Sequence, residues 1–225
     1  MGLLLLVRHG QASFGSDDYD VLSETGWEQG RALGRHLAAA GVVPTALVRG
    51  GMRRHRETLE AMTEAADGAA GWDLPVDEDP GWDEFDHLGV LAADPDPPAH
   101  DLDRRAFQEA FVRATTRWAD AGEDAAAYPE TFPGFLARTA ASMEAASARA
   151  AAGETVVVVT SGGVLAALAT GLLGVGGAGV AETWQRLNTV CVNTGVTRVV
   201  VGGSGRRLLT FNEHEHLARP LVTYR

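Results

Sequence analysis

A single cysteine, Cys191, excludes an internal disulfide in this chain of 225 residues. It stands between Val190 and Val192, the setting of a small core residue and not of a reactive thiol. Basic residues are scarce as well. Nineteen Lys plus Arg stand against 30 Asp plus Glu, a formal charge of -11 with a pI near 5, which argues against a chain whose main task is coating nucleic acid or an acidic membrane. Any anionic ligand must therefore be met by a local basic pocket. Lysine is absent altogether, so the glycine-rich stretch 171–179 is no Walker loop and reads as a connection after a helix. Long apolar runs are missing too: the first covers only residues 3–7 before meeting Arg8, too short for a signal-peptide core or a membrane span. Leu6 stands where an N-myristoylation signal carries a hydroxyl. With no repeat and no long low-complexity tract, the expectation is one globular domain over 1–225, soluble and cytoplasmic, with no nucleic-acid or membrane partner.

What is present alternates between strand and helix signals. Residues 3–7 form an apolar strand, and 24–40 a helix with Trp27, Leu33 and Leu37 at helical spacing and Gly41 as its stop. A short strand over 46–48 enters the arginine-rich segment 49–57, after which Thr58, Leu59, Met62 and Ala66 mark a second amphipathic helix. Two further helical faces, Phe107, Phe111, Ala114 and Trp118, then Phe135, Leu136, Thr139, Met143, Ala146 and Ala150, read as packing elements. The run Val156-Val157-Val158-Val159 lacks alternation, as expected of a central parallel strand covered on both faces, and leads through Thr160-Ser161-Gly162-Gly163 into another apolar helix. Residues 196–201 and 207–211 complete the pattern as a pair of strands, and 92–101, rich in Pro and Asp, is a loop. The class is α/β: a mostly parallel central sheet with helices on both faces.

Functional residues of such sheets gather at the carboxyl ends of strands, where helix N-termini present unpaired amides. Arg8-His9-Gly10, Arg54 and Ser161-Gly162 all occupy such junctions. Two planar guanidiniums, an imidazole and the donors of the last loop suit a phosphoryl group, whose oxygens they match and whose charge they neutralise. Phosphoryl transfer is the leading chemistry.

Through "LVRHGQASF" and "LSETGWEQGRALGRHL" the chain resembles the histidine phosphatase superfamily, the phosphoglycerate-mutase-like family, over essentially its whole length. The resemblance implies a phosphoglycerate-mutase-like fold with a helical lid insertion, from about residue 85 to 121. It implies His9 as the nucleophile that becomes phosphorylated, with Arg8 beside it as a phosphate clamp. The family's second arginine lies four residues before a threonine, which selects Arg54 over Arg53 because Thr58 follows at that spacing. Its general acid falls on Glu84 of "DPGWDEFDH", with Asp83 and Asp86 as near alternatives. No metal or cofactor is implied. The partner is a small phosphorylated substrate, and the resemblance allows a homodimer.

Two departures from the family pattern stand out. A second histidine usually precedes the Gly-Gly pair, where this chain has Ser161, a single neutral donor. Losing one transition-state donor costs roughly a hundredfold to a thousandfold in rate, so either a slow enzyme results or another group, His87 or His55, fills the place. Ser161 has an equal structural reading as the N-cap of the next helix. After the nucleophile, Ala12 and Gly15 stand where relatives carry phosphate-touching polar groups, with Gln11, Ser13 and Ser16 as substitutes from the same loop. The mutases' substrate-carboxylate segment is missing. Hydrolysis is thus the expected activity, with mutase-type transfer or phosphate-ester binding without useful turnover as alternatives. Arg49, Arg53 and Arg56 read as solvated charges, His214-Glu215-His216 as structural or surface groups, and Asn188 and Asn193 as turn residues flanking a strand entry.

Overall fold

A computed structural model describes residues 1–13, 20–95, 104–121 and 126–224, with the side chains of residues 104 and 105 outside that set. Gly15, Ser16 and most of the 92–101 loop therefore lie outside the described residues. Six strands form one sheet, β1 (Gly2–Arg8), β2 (Ala46–Arg49), β3 (Val76–Glu78), β4 (Thr155–Thr160), β5 (Val196–Gly202) and β6 (Gly205–Glu213), in the order β3-β2-β4-β1-β5-β6. The β3–β2, β2–β4 and β4–β1 pairs are parallel, whereas β5 runs antiparallel to both β1 and β6. Among the described residues there are seven α-helices: α1 (Glu24–Ala39), α2 (Arg53–Ala66), α3 (His87–Ala92), α4 (Arg104–Asp120), α5 (Phe132–Arg149), α6 (Gly162–Leu172) and α7 (Gly179–Val190).

The unalternating strands behave as their sequence predicts. Leu4, Leu6, Val156 and Val158 face one apolar layer with Trp118, Phe135 and Trp184 from α4, α5 and α7. Leu5, Val7, Val157 and Val159 face the other, against Leu33 and Leu37 of α1 and Leu59 and Met62 of α2. Helices thus cover both faces. Each of these strand side chains is fully buried, and truncating Leu5 to Ala should cost roughly 2–5 kcal/mol. α1 starts at Ser23, whose Oγ accepts from Gly26 N–H at 3.1 Å.

The β1–β4 register positions the site. Arg8 pairs with Thr160, and His9 N–H donates to Thr160 O at 2.8 Å, so the chain leaves both strands at one level, with His9 and Ser161 side by side. α2 begins at Arg53, which puts the arginine cluster in a helix's first turn beside them. Asn188 departs from its expected turn: it lies within α7 because the helical pattern of Trp184 and Leu187 carries on to Val190. Asn193 is fully buried. Among the described residues no helix is long and apolar enough to cross a membrane.

Candidate active site

His9 sits just beyond β1, 7% exposed, with Nδ1 2.7 Å from the carbonyl oxygen of Gly10. A carbonyl only accepts, so Nδ1 carries the proton and, in the neutral ring, Nε2 keeps its lone pair. Burial holds the imidazole well below its ordinary range, and the charges of Arg54 and then Arg8 push the same way. Desolvation by the core beneath is the larger cause. The loop is pinned at several points. Gly10 N–H donates to Thr58 Oγ1 at 2.9 Å, Asn193 Nδ2 to His9 O at 3.1 Å, and Gln11 N–H to Gln29 Oε1 at 2.8 Å. Thr58, which served only to mark the motif, thus ties α2 to the His9 turn.

Arg8 donates through Nη1 to the carbonyls of Cys191 and of Tyr224, the latter at 2.9 Å. These bonds aim its guanidinium across the head of α6, where a Cβ on Gly162 would stand 3.3 Å from Arg8 Nε and 3.0 Å from Asn188 Oδ1. The Cys191 thiol itself is buried, and that burial pushes it up to about 11, so it contributes a carbonyl and no thiolate. Arg54 is buried in the first turn of α2; its Nη1 donates to Asp20 Oδ1 at 2.8 Å, and its Nε has no partner among the described residues. Arg49, expected as a solvated charge, is largely covered and paired with Glu78 at 2.7 Å, whereas Arg53 is exposed, as expected, and reaches Glu57 at 2.6 Å. Arg56 is half-exposed, 3.7 Å from Glu60.

Glu84 follows a short 3-10 turn (Pro80–Trp82) and points at the start of α6: Oε2 accepts from Gly163 N–H at 3.0 Å. A Cβ on Gly163 would fall 2.2 Å from Glu84 Oε1, so any other residue there would displace this carboxylate from the amide. Burial raises this carboxyl above its ordinary range against the opposing pull of the Gly163 amide, Arg54 and Arg8. Its two neighbours are employed elsewhere. Asp86 caps α3 through Gly89 N–H at 2.9 Å. Asp83 accepts from Gly51 N–H at 2.6 Å; burial works to raise its carboxyl, but the His55 ring facing it and the bonds from the Gly51 and Met52 amides leave it lowered, an ionised group and no proton donor. Arg138 fixes this segment, donating to Gly81 O at 3.1 Å and Asp83 O at 2.8 Å while gripping Glu130 with two bonds of 2.8 Å.

Ser161 precedes α6 but makes no side-chain cap bond. Its Oγ lies 2.8 Å from Nε2 of His55, so the capping reading gives way to a pairing with one of the two proposed substitutes. The other, His87, opens α3 with its ring 6.4 Å from that of Phe111; burial, then Arg54, lowers its imidazole. Gln11 Oε1 accepts from Ser23 Oγ at 2.9 Å, turned toward α1. Asp20 at the site and Arg138 behind it carry no local spacing that marks them in the sequence, and Asn188 at the site and Asn193 behind it read there only as turn residues.

The chain matches the family model described as Histidine phosphatase superfamily (branch 1) over residues 4–214. No curated protein matches it. Among solved structures it is similar to YhfR of Bacillus stearothermophilus, with a TM-score of 0.70 and 25% identity over 95% of this chain and 98% of that one. It is also similar to a mutant phosphoserine phosphatase from Entamoeba histolytica in complex with phosphoserine, with a TM-score of 0.67 and 15% identity over 97% and 100%. A phosphoglycerate mutase from Bacillus anthracis gives a TM-score of 0.66 and 18% identity over 96% and 94%. The α/β architecture is thus phosphoglycerate-mutase-like, and the chain belongs to the histidine phosphatase superfamily, as an enzyme of the phosphatase and phosphoglycerate-mutase-like kind whose general chemistry is phosphoryl transfer.

Proposed function

We propose that this protein is a phosphomonoester hydrolase working through a phosphohistidine on Nε2 of His9, with a small phosphorylated metabolite as substrate. The observation that carries the reading is the state of His9: buried, kept neutral, and with Nδ1 committed to Gly10 O so that Nε2 is the nucleophilic atom. Nε2 attacks phosphorus, the bond to the leaving oxygen breaks, and Glu84 gives that oxygen its proton. As a carboxylate, Glu84 then takes a proton from the water that attacks phosphohistidine, releasing phosphate and restoring His9. The raised carboxyl of Glu84 favours the first role. Arg8 and Arg54 hold the phosphoryl oxygens with Ser161 and the Gly162 amide, and this positioning is most of what phosphoryl transfer asks of a protein.

The reading takes residues 1–225 as one domain acting in the cytoplasm, calls on no metal, and leaves a homodimer as an expectation from the family. The phosphoserine held by the Entamoeba neighbour supports a small phosphate monoester as substrate. Incubation with an aryl phosphate in the presence of chelator, wild type beside His9→Ala, tests it. Wild type should release phosphate to water, and the variant should lose roughly ten-thousandfold or more. Equal hydrolysis by the variant would remove His9 as the nucleophile.

A further inference from the structure

Beside His9 lies a line of polar groups that helix capping does not require. Ser161 and His55 are both fully buried, with Oγ and Nε2 2.8 Å apart. The opposite nitrogen of His55, Nδ1, faces Asp83 Oδ1 at 3.6 Å, and that oxygen is held by the amides of Gly51 and Met52 at 2.6 and 3.3 Å. Gly50 keeps the two together: a Cβ there would fall 2.3 Å from His55 Nδ1 and 2.5 Å from Asp83 Oδ1. The rings of His55 and His9 are 5.8 Å apart. Burying such a chain of polar groups is costly unless its bonds are used.

Resting on the hydrolase reading, we propose that Asp83, His55 and Ser161 form a relay: when a tetrahedral oxyanion enters beside His9, His55 takes up a proton from solvent and donates Nε2–H to Ser161 Oγ, and Ser161 turns its own O–H onto the anion. The reason is the hydrogen count. A hydroxyl has one hydrogen; while His55 is neutral with Nδ1–H toward Asp83, its Nε2 accepts that hydrogen, and Ser161 presents only lone pairs to an anion. A proton on Nε2 reverses the chain.

The groups facing His55 set when this happens. Burial opposes a second proton, as does Arg54 on its own helix; Asp83 after the 3-10 turn and Asp20 before α1 favour it, and the neutral ring of His9 at the end of β1 adds no charge. Burial and Arg54 win before the anion arrives, leaving the imidazole lowered. The anion's charge then tips the balance, so uptake accompanies binding. His55 is a positioning residue acting through Ser161, in place of the donor that the family carries at that position.

Sulfate, a tetrahedral dianion of constant charge near neutral pH, is the probe. Calorimetry in buffers of different ionisation enthalpy counts the protons. In His9→Ala/Glu84→Gln, which removes the titrations of that ring and of the site carboxyl, sulfate should bring in about one proton per anion, and adding His55→Gln should abolish the uptake. No uptake in the first, or the same uptake in the second, overturns the relay. Should His55→Gln fail to fold, His55→Asn on the same background, which also removes the titrating ring, replaces it with the same two outcomes. With aryl phosphate, Ser161→Ala and His55→Gln should each lower kcat/KM by about a hundredfold and together by about the same factor, because they disable one unit. Losses that multiply, or that stay under about threefold, overturn it. Proton counting needs no turnover, so a failure of hydrolysis and a failure of the relay are told apart.

Discussion

Two histidine pairs in this protein have nearly the same internal geometry and opposite surroundings. His9 and His55 lie with ring centroids 5.8 Å apart and planes tilted by 43°; His36 and His216 lie 5.9 Å apart at 41°. The first pair stands between the starts of α2 and α6, with Arg8 and Arg54 beside it, where amide dipoles and guanidiniums both favour a bound anion. The second lies in the last turn of α1 and beyond β6, in a hollow of about 230 Å³ that Glu213 and Glu215 also line. Its arginine, Arg198, is spent on Glu213 at 2.7 Å, and His216 Nε2 meets Thr194 Oγ1 at 3.0 Å. Proximity of imidazoles is thus no site by itself. An acidic chain makes one by concentrating its few cations and helix N-termini around a neutral, buried ring. Nor does the second pair gather a metal centre: among the described residues no cluster of three ligating side chains is placed to hold an ion.

The largest expected break in this comparison is kinetic. His9→Ala should lose roughly ten-thousandfold or more in hydrolysis, whereas His216→Gln should stay within about twofold, because it lies outside the anion's field; steady-state assay of both decides it. Next comes the clamp. Arg54→Gln should lower kcat/KM by about a hundredfold to a thousandfold, and Arg198→Gln, its counterpart at the second pair, should leave it unchanged; equal losses would mean that Arg54 acts through folding.

Glu84→Gln should slow poor leaving groups by about a hundredfold or more and good ones much less. Its pH profile carries a sign. With His9 lowered, the acid limb of kcat/KM should fall below the ordinary imidazole range, and with Glu84 raised, the alkaline limb should lie above the ordinary carboxylate range. Glu84→Gln should erase the alkaline limb alone. The smallest effect belongs to the second pair and is one of stability. Burial, with His36 and His214, lowers His216 from 6.5 to about 4, so its contribution is full above pH 6.5 and is lost as pH falls toward 4. After allowance for partial exposure that is about 2 kcal/mol. Denaturation followed against pH should show a shallower acid slope in His216→Gln; an unchanged slope would mean that the ring titrates normally in the fold.

The amino-acid sequence by itself determined the periodic and the local. Unalternating runs at β1 and β4 announced strands buried on both faces, amphipathic repeats announced the helices against them, and a strand breaking into Arg8-His9-Gly10 announced where an anion would be met. These follow from side-chain period and backbone preference within a few residues. Only the tertiary structure decided which groups serve that junction. Arg8 is aimed by carbonyls 183 and 216 residues away, and Ser161 meets an imidazole 106 residues back in the chain. Asp20 reaches Arg54 across 34 residues. Such partners are set by sheet register and helix docking, which bring together strand ends and helix starts that no local window contains. The replaced histidine was legible as an absence at Ser161, but the group standing behind it was not, because a histidine in an arginine-rich turn looks the same in sequence whether its ring faces water or the core.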